Sequence, residues 1–210
     1  MYVYCLGEDD PAKCTALKLS RFGLAIKLKH KYEIPKKAVL LNPFSEKILT
    51  VKDKEIVEKF GVVAVDCSWK KIKETFSKKF KAENRRLPLL VPANPINYGH
   101  LGMLSSLEAL AATLYIVNFK KEAKKLLSLY KWGQTFLNLN RNLLKEYSRV
   151  EDQNKILEIE KEYFKNEGTF LIAEVNEKIV GTIAIKKEKN KVARLKRMFV
   201  DQKYRRQKIA

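Results

Sequence analysis

Apolar residues recur along this chain in two rhythms. Residues 1–6, 38–41 and 62–67 are short, nearly unbroken apolar runs rich in β-forming side chains. Runs of this length predict strands buried on both faces, as parallel strands are. Residues 87–91 form a fourth such run, closed by Pro92-Ala93-Asn94-Pro95, whose two prolines stop any helix or central ladder. A long loop, residues 92–104, follows it. Helical patterns lie over residues 52–60, 107–119, 121–132 and 135–147. Strands alternating with helices predict an α/β domain with a mainly parallel sheet.

The helix after the loop has a marked beginning. Ser105-x-x-Glu108 is a capping box, and Leu104 stands where it can staple the first turn. The leading N–H groups of that helix face the loop, and an anion there is stabilised.

The pattern changes after Arg149. Glu151-Asp152-Gln153-Asn154 is polar, residues 155–165 are helical, and residues 170–175, 179–185 and 192–200 are strand-like. The expected boundary lies near residue 150, between a domain over residues 1–150 and a smaller segment over 151–210.

Charge narrows the choice of partner. The chain has 43 Lys and Arg against 24 Asp and Glu, a formal charge of +19, which favours nucleic acid over an anionic membrane surface. The excess is clustered: residues 18–37 hold seven Lys and Arg and one acid, Glu33, and residues 70–86 hold eight against Glu74 and Glu83. The acidic start, with Glu8, Asp9 and Asp10, is unlike a signal or transit peptide. The most apolar stretch, residues 107–119, is too short to span a bilayer. A cytoplasmic protein without a membrane partner is expected. Three scattered cysteines, Cys5, Cys14 and Cys67, accompany two histidines, His30 and His100. Neither a disulfide framework nor a metal site is expected from them.

Four polar clusters fall where strands should end: Asp9-Asp10-Pro11-Ala12-Lys13-Cys14-Thr15, Asp66-Cys67-Ser68-Trp69, Arg86-Leu87-Pro88 and Asn94-Pro95-Ile96-Asn97-Tyr98-Gly99. Ligands of open α/β sheets bind at the carboxyl ends of strands. Taken alone, Asp66-Cys67-Ser68-Trp69 is an ordinary turn or helix cap. Taken with Leu104-Ser105-Ser106-Leu107-Glu108-Ala109-Leu110-Ala111-Ala112 and Lys131-Trp132-Gly133-Gln134-Thr135-Phe136, the set resembles the small-subunit rRNA aminocarboxypropyltransferases, especially archaeal ones, over residues 1–148.

That resemblance implies a SPOUT-like fold, a knotted parallel sheet flanked by helices with the trefoil knot at the cofactor site. It also implies transfer of the 3-amino-3-carboxypropyl group of S-adenosylmethionine to the imide nitrogen of a methylated pseudouridine in small-subunit rRNA. Carried over by position, Thr15 and Ser106 anchor the methionine carboxylate and Trp69 is the aromatic wall. Pro43, Leu87 and Leu104 contact the adenosine, and Val65 meets the ribose through its backbone. Gly102 departs from the pattern, because many relatives have Tyr or Trp at that place. Asp66 is the motif carboxylate near the site and is the candidate base or orienting group. Cys14 and Cys67 are expected as packing residues and His100 as a solvent-facing loop residue. The basic runs flank Thr15 and Trp69, so the expected RNA surface, on rRNA or a pre-ribosomal particle, surrounds the cofactor mouth. Relatives of this kind are expected to act as monomers.

Residues 155–210 resemble the front half of a GNAT acetyltransferase, with residues 169–185 as its central hairpin and residues 195–200 as the strand before the acyl-CoA loop. Arg206 and Lys208 stand where that loop usually has glycines, so a partial α+β segment without acetyltransferase activity is expected. Two other readings of the whole chain compete: a non-catalytic ribosome-assembly factor that binds precursor rRNA, and a SPOUT RNA methyltransferase.

Overall fold

The computed structural model describes residues 1–7, 14–98, 100–165, 169–175, 178–187, 193–200 and 202–204. Asp9 to Lys13 of the first polar cluster, Gly99 of the fourth, and Arg206 and Lys208 lie outside the described residues. The chain divides into two compact units, Met1–Gln153 and Asn154–Ala210.

The first unit is built on a five-stranded sheet in which every pairing is parallel: β1 (Tyr2–Cys5), β2 (Ile26–Leu28), β3 (Val39–Leu41), β4 (Val62–Asp66) and β5 (Glu83–Arg85), in the order β2-β1-β4-β3-β5. The three apolar runs expected as buried strands are its three central strands. Val3, Val39, Leu40, Val62 and Val63 are fully buried, as residues covered on both faces of a parallel sheet must be. Among the described residues seven helices accompany the sheet: α1 (Thr15–Arg21), α2 (Lys54–Phe60), α3 (Ile72–Ser77), α4 (Ser106–Ile116), α5 (Lys120–Leu127), α6 (Gly133–Leu139) and α7 (Arg141–Tyr147). Helix α4 packs on β4, α1, α5 and α7. Its apolar content runs all the way round because it is buried nearly all round. Gly61, at φ 85°, ends α2 and turns the chain straight into β4. A Cβ there would come within 2.8 Å of the Tyr2 ring, so the turn and the close approach both call for glycine.

The expected strand over residues 87–91 does not join the sheet. The edge strand is instead the polar triplet Glu83-Asn84-Arg85, paired with β3 from Val39↔Glu83 to Leu41↔Arg85. Its position is fixed by side chains: Arg85 Nε donates to Asp53 Oδ1 at 2.9 Å, and Asn84 Nδ2 donates to the Ala82 carbonyl at 2.8 Å. The apolar run that follows finds other partners for its backbone. Buried Asn140 accepts from Val91 N and donates to Val91 O, both at 2.8 Å, while Tyr147 Oη donates to Leu89 O and Gly102 N donates to Leu90 O. Asn140 therefore stands in for a neighbouring strand. It also divides the helical pattern over 135–147 into α6 and α7. The pattern over 121–132 likewise ends early, at Leu127, in a tight turn. β2, α1 and α3 are elements the apolar pattern did not predict.

In the second unit, α8 (Gln153–Glu160) begins at the boundary and is followed by an antiparallel sheet of β6 (Thr169–Val175), β7 (Lys178–Lys187) and β8 (Ala193–Val200) in sequential order.

Candidate active site

The carboxyl ends of β3 and β4 and the start of α1 open into a cavity of about 1050 Å³, roofed by the loop that precedes α4. Thr15, Pro43, Val65, Asp66, Trp69, Leu87, Gly102, Leu104 and Ser106 all line it. Every candidate site residue is thus brought together, although they come from separate stretches of the first 106 positions.

One end of the cavity is polar and is organised by Asp66, the last residue of β4, 8% exposed. Its Oδ1 accepts from Ser106 Oγ at 2.7 Å and its Oδ2 accepts from the Cys14 thiol at 3.0 Å. The Cys14 sulfur in turn accepts from Leu17 N and caps α1. Thr15 Oγ1 accepts from Leu107 N at 3.4 Å. One carboxylate therefore ties β4 to the beginnings of both α1 and α4, and Thr15 and Ser106 lie at those beginnings. Cys14 does more than pack. Burial first, then the hydrogen bond to Asp66, pushes its thiol up to about 12, so at neutral pH it is a protonated donor to the carboxylate.

The other walls are mostly apolar. Val65, Pro43, Leu87, Leu104 and Phe76 line them. Trp69 joins them at the start of a short 3-10 turn, Trp69–Lys71, which Ser68 Oγ caps by accepting from Lys70 N. Gly102 sits at φ 79° with its N–H bound to Leu90 O, and a Cβ there would be 3.3 Å from the Leu89 side chain. The departure from an aromatic residue thus coincides with a left-handed backbone that disfavours one. His100 is exposed, as expected, and lies on the cavity wall.

Glu108 holds the roof in place. The capping box is present, with Ser105 Oγ accepting from Glu108 N. The fully buried carboxylate also accepts from Ala93 N at 2.7 Å, Asn94 N at 3.1 Å and Asn94 Nδ2 at 2.6 Å, besides Ser105 N and Oγ. Its bonds to Ala93 and Asn94 cross 14 or 15 residues, so only the local half of this arrangement carries a sequence signal. Among the described residues no helix is long and apolar enough to cross a membrane, and no group of three or more His, Cys, Asp or Glu is arranged to hold a metal ion.

Comparison with known proteins identifies the family. A family model for "Ribosome biogenesis protein, C-terminal" matches residues 39–164, and one for the acetyltransferase (GNAT) family matches residues 136–210. A model for a possible Fer4-like domain in RNase L inhibitor matches residues 1–31, a stretch whose cysteines are Cys5 and Cys14, fewer than the four thiolates of a ferredoxin-type cluster. The 16S rRNA aminocarboxypropyltransferase of Methanocaldococcus jannaschii is 48% identical over 166 residues, covering 79% of this chain and 96% of that protein. That of Methanothermobacter thermautotrophicus is 47% identical, covering 77% and 96%. The solved structure of the SAM-dependent rRNA:acp-transferase Tsr3 from Vulcanisaeta distributa superposes with a TM-score of 0.68 at 40% identity, covering 75% of this chain and 93% of that one. By sequence over most of its length and by the fold of its parallel sheet, this chain belongs to the family of 16S rRNA aminocarboxypropyltransferases.

Proposed function

We propose that the chain transfers the 3-amino-3-carboxypropyl group of S-adenosylmethionine to the imide nitrogen of a methylated pseudouridine in small-subunit rRNA, free or within a pre-ribosomal particle. The observation that carries this reading is the two-ended cavity. Its apolar walls of Trp69, Pro43, Leu87 and Leu104, with Val65 beside them, suit an adenosine. Its polar end, where Thr15 and Ser106 meet the N-terminus of α4, suits a carboxylate. The donor fits the residues present, and a monomeric enzyme is part of the same reading.

When bound, the donor supplies a sulfonium-activated carbon, which gains a bond to nitrogen as its bond to sulfur breaks, the sulfur keeping the electron pair and the imide proton being released. The chain's own task is orientation. Thr15 and Ser106 fix the amino-acid end and Trp69 walls the sulfonium region, so that the propyl carbon rather than the methyl faces the acceptor. Asp66 sets the Ser106 hydroxyl and the Cys14 thiol. With two donors on a carboxylate that has about four acceptor sites, it retains capacity for the imide N–H. The basic runs over residues 18–37 and 70–86 supply phosphate contacts around the mouth. A SPOUT-type trefoil knot at the donor site belongs to the same reading. So does a GNAT-like second unit without acetyltransferase activity, given Arg206 and Lys208 at the usual glycine places.

The test is incubation of the full chain with small-subunit rRNA and donor labelled either at the carboxyl carbon or at the methyl. Carboxyl label in RNA supports the reading. Methyl label alone transfers the assignment to methyltransferases, and absence of donor binding transfers it to an rRNA-binding assembly factor.

A further inference from the structure

The contacts proposed for the donor leave some of the cavity's lining residues without a role. The cavity holds about 1050 Å³, at the upper end of the roughly 300–1,000 Å³ that a single drug-sized ligand takes. Two further aromatic side chains line it, Tyr130 and Trp132, from the turn between α5 and α6. Their rings stack on each other at 4.9 Å between centroids and 30° between planes, and both are half-buried.

The stack is tied to the polar end. Lys18, one turn into α1, places Nζ 3.9 Å from the Tyr130 centroid and donates from it to Leu129 O at 3.0 Å. The Tyr130 hydroxyl is pushed up by burial and then by the neighbouring Cys14, the residue whose thiol donates to Asp66. The stack is carried by a closely packed, hydrogen-bonded turn. Tyr130 N donates to Leu127 O, and Gly133 N donates to Tyr130 O at 3.0 Å. A Cβ on Gly133 would lie 1.9 Å from the Leu127 carbonyl oxygen, so the turn that presents both rings has no slack.

We propose that the Lys18–Tyr130–Trp132 stack is the acceptor platform, on which the target base, unstacked from its RNA, lies with its reacting nitrogen toward the Asp66 end of the cavity. The inference rests on the transfer reading and deepens it. Enzymes that modify a base must take it out of its stack, and aromatic side chains repay the lost stacking without asking for a particular sequence. The Lys18 ammonium over Tyr130 makes the platform cationic as well as aromatic, which suits a base about to lose its imide proton.

The experiment compares Trp132→Ala, Trp132→Leu and Trp132→Phe in the full chain with carboxyl-labelled donor and small-subunit rRNA, reading KM for RNA, kcat and, separately, donor affinity. Base–aromatic stacking predicts a rise of roughly 5- to 150-fold in KM for RNA in the Ala and Leu variants. It predicts donor affinity within about twofold of wild type, and recovery of most of the loss by Phe. Leu keeps the bulk but not the π-face, so equal activity in the Leu and Phe variants would reduce Trp132 to a packing residue and overturn the platform. A loss of donor affinity as large as the loss in KM would put the ring in the donor site and overturn it equally. If wild type itself labels no RNA, the transfer reading fails and the platform with it. If wild type labels RNA and all three variants match it, the platform alone fails.

Discussion

Glu108 and Asp66 are both buried acids, one behind the roof of the cavity and one lining it, and their oxygens meet different company. Glu108 accepts from five donors, three of them backbone N–H groups that cannot turn away. That exceeds the roughly four acceptor sites of a carboxylate, so nothing is left over for a substrate. Asp66 accepts from two donors, a thiol and a hydroxyl, each on a side chain that can rotate. A saturated acid shapes a site, and an unsaturated one is open to chemistry. The contrast assigns Glu108 to the scaffold of the roof and Asp66 to the handling of the reactants.

The largest effect belongs to the scaffold. Glu108→Ala strands the Ala93 and Asn94 donors in a buried place and should cost about 3–5 kcal/mol of stability, read from the urea midpoint of the first unit. A loss under about 1 kcal/mol would break the contrast. Asp66→Asn keeps the shape and should change stability much less, while lowering the rate of label transfer by about 10²-fold. Equal losses of stability in the two variants would erase the distinction. Ser106→Ala removes one hydroxyl from the polar end and should weaken donor binding by roughly tenfold, the worth of one hydrogen bond to a charged group, as measured by calorimetry.

The smallest effect concerns the thiol on Asp66. With the Cys14 thiol raised from 9.0 to about 12 in the folded chain, its contribution to stability is complete below about pH 9 and is lost as pH climbs toward 12. Cys14 should therefore resist alkylation by iodoacetamide at pH 8 until the chain is unfolded. Rapid alkylation of the native protein would mean that the thiol is not committed to Asp66.

The central strands were legible because burial on both faces leaves unbroken apolar runs, and the capping box because its partners are three residues apart. What escaped was non-local. The run over 87–91 resembles a strand, yet its backbone partner is the Asn140 amide some fifty residues later. The true edge strand, Glu83-Asn84-Arg85, is polar because an edge needs only one paired side, and because Asp53 and the Ala82 carbonyl neutralise or bind its side chains. In the site, the strand-end clusters marked the lining residues. Cys14 looked like core because a thiol carries no visible sign of its acceptor 52 positions away. Trp132 lay within the motif Lys131-Trp132-Gly133-Gln134-Thr135-Phe136, but only its stacking on Tyr130 inside the cavity gave it a role.

The most direct test of the account is label transfer with Trp69→Ala beside wild type, using S-adenosylmethionine labelled at the carboxyl carbon and small-subunit rRNA, with donor affinity measured on the same samples. The account predicts label in RNA with wild type, and a joint loss of label and donor affinity in the variant. A variant that binds donor and labels RNA as well as wild type would contradict the assignment of this cavity as the place where transfer occurs.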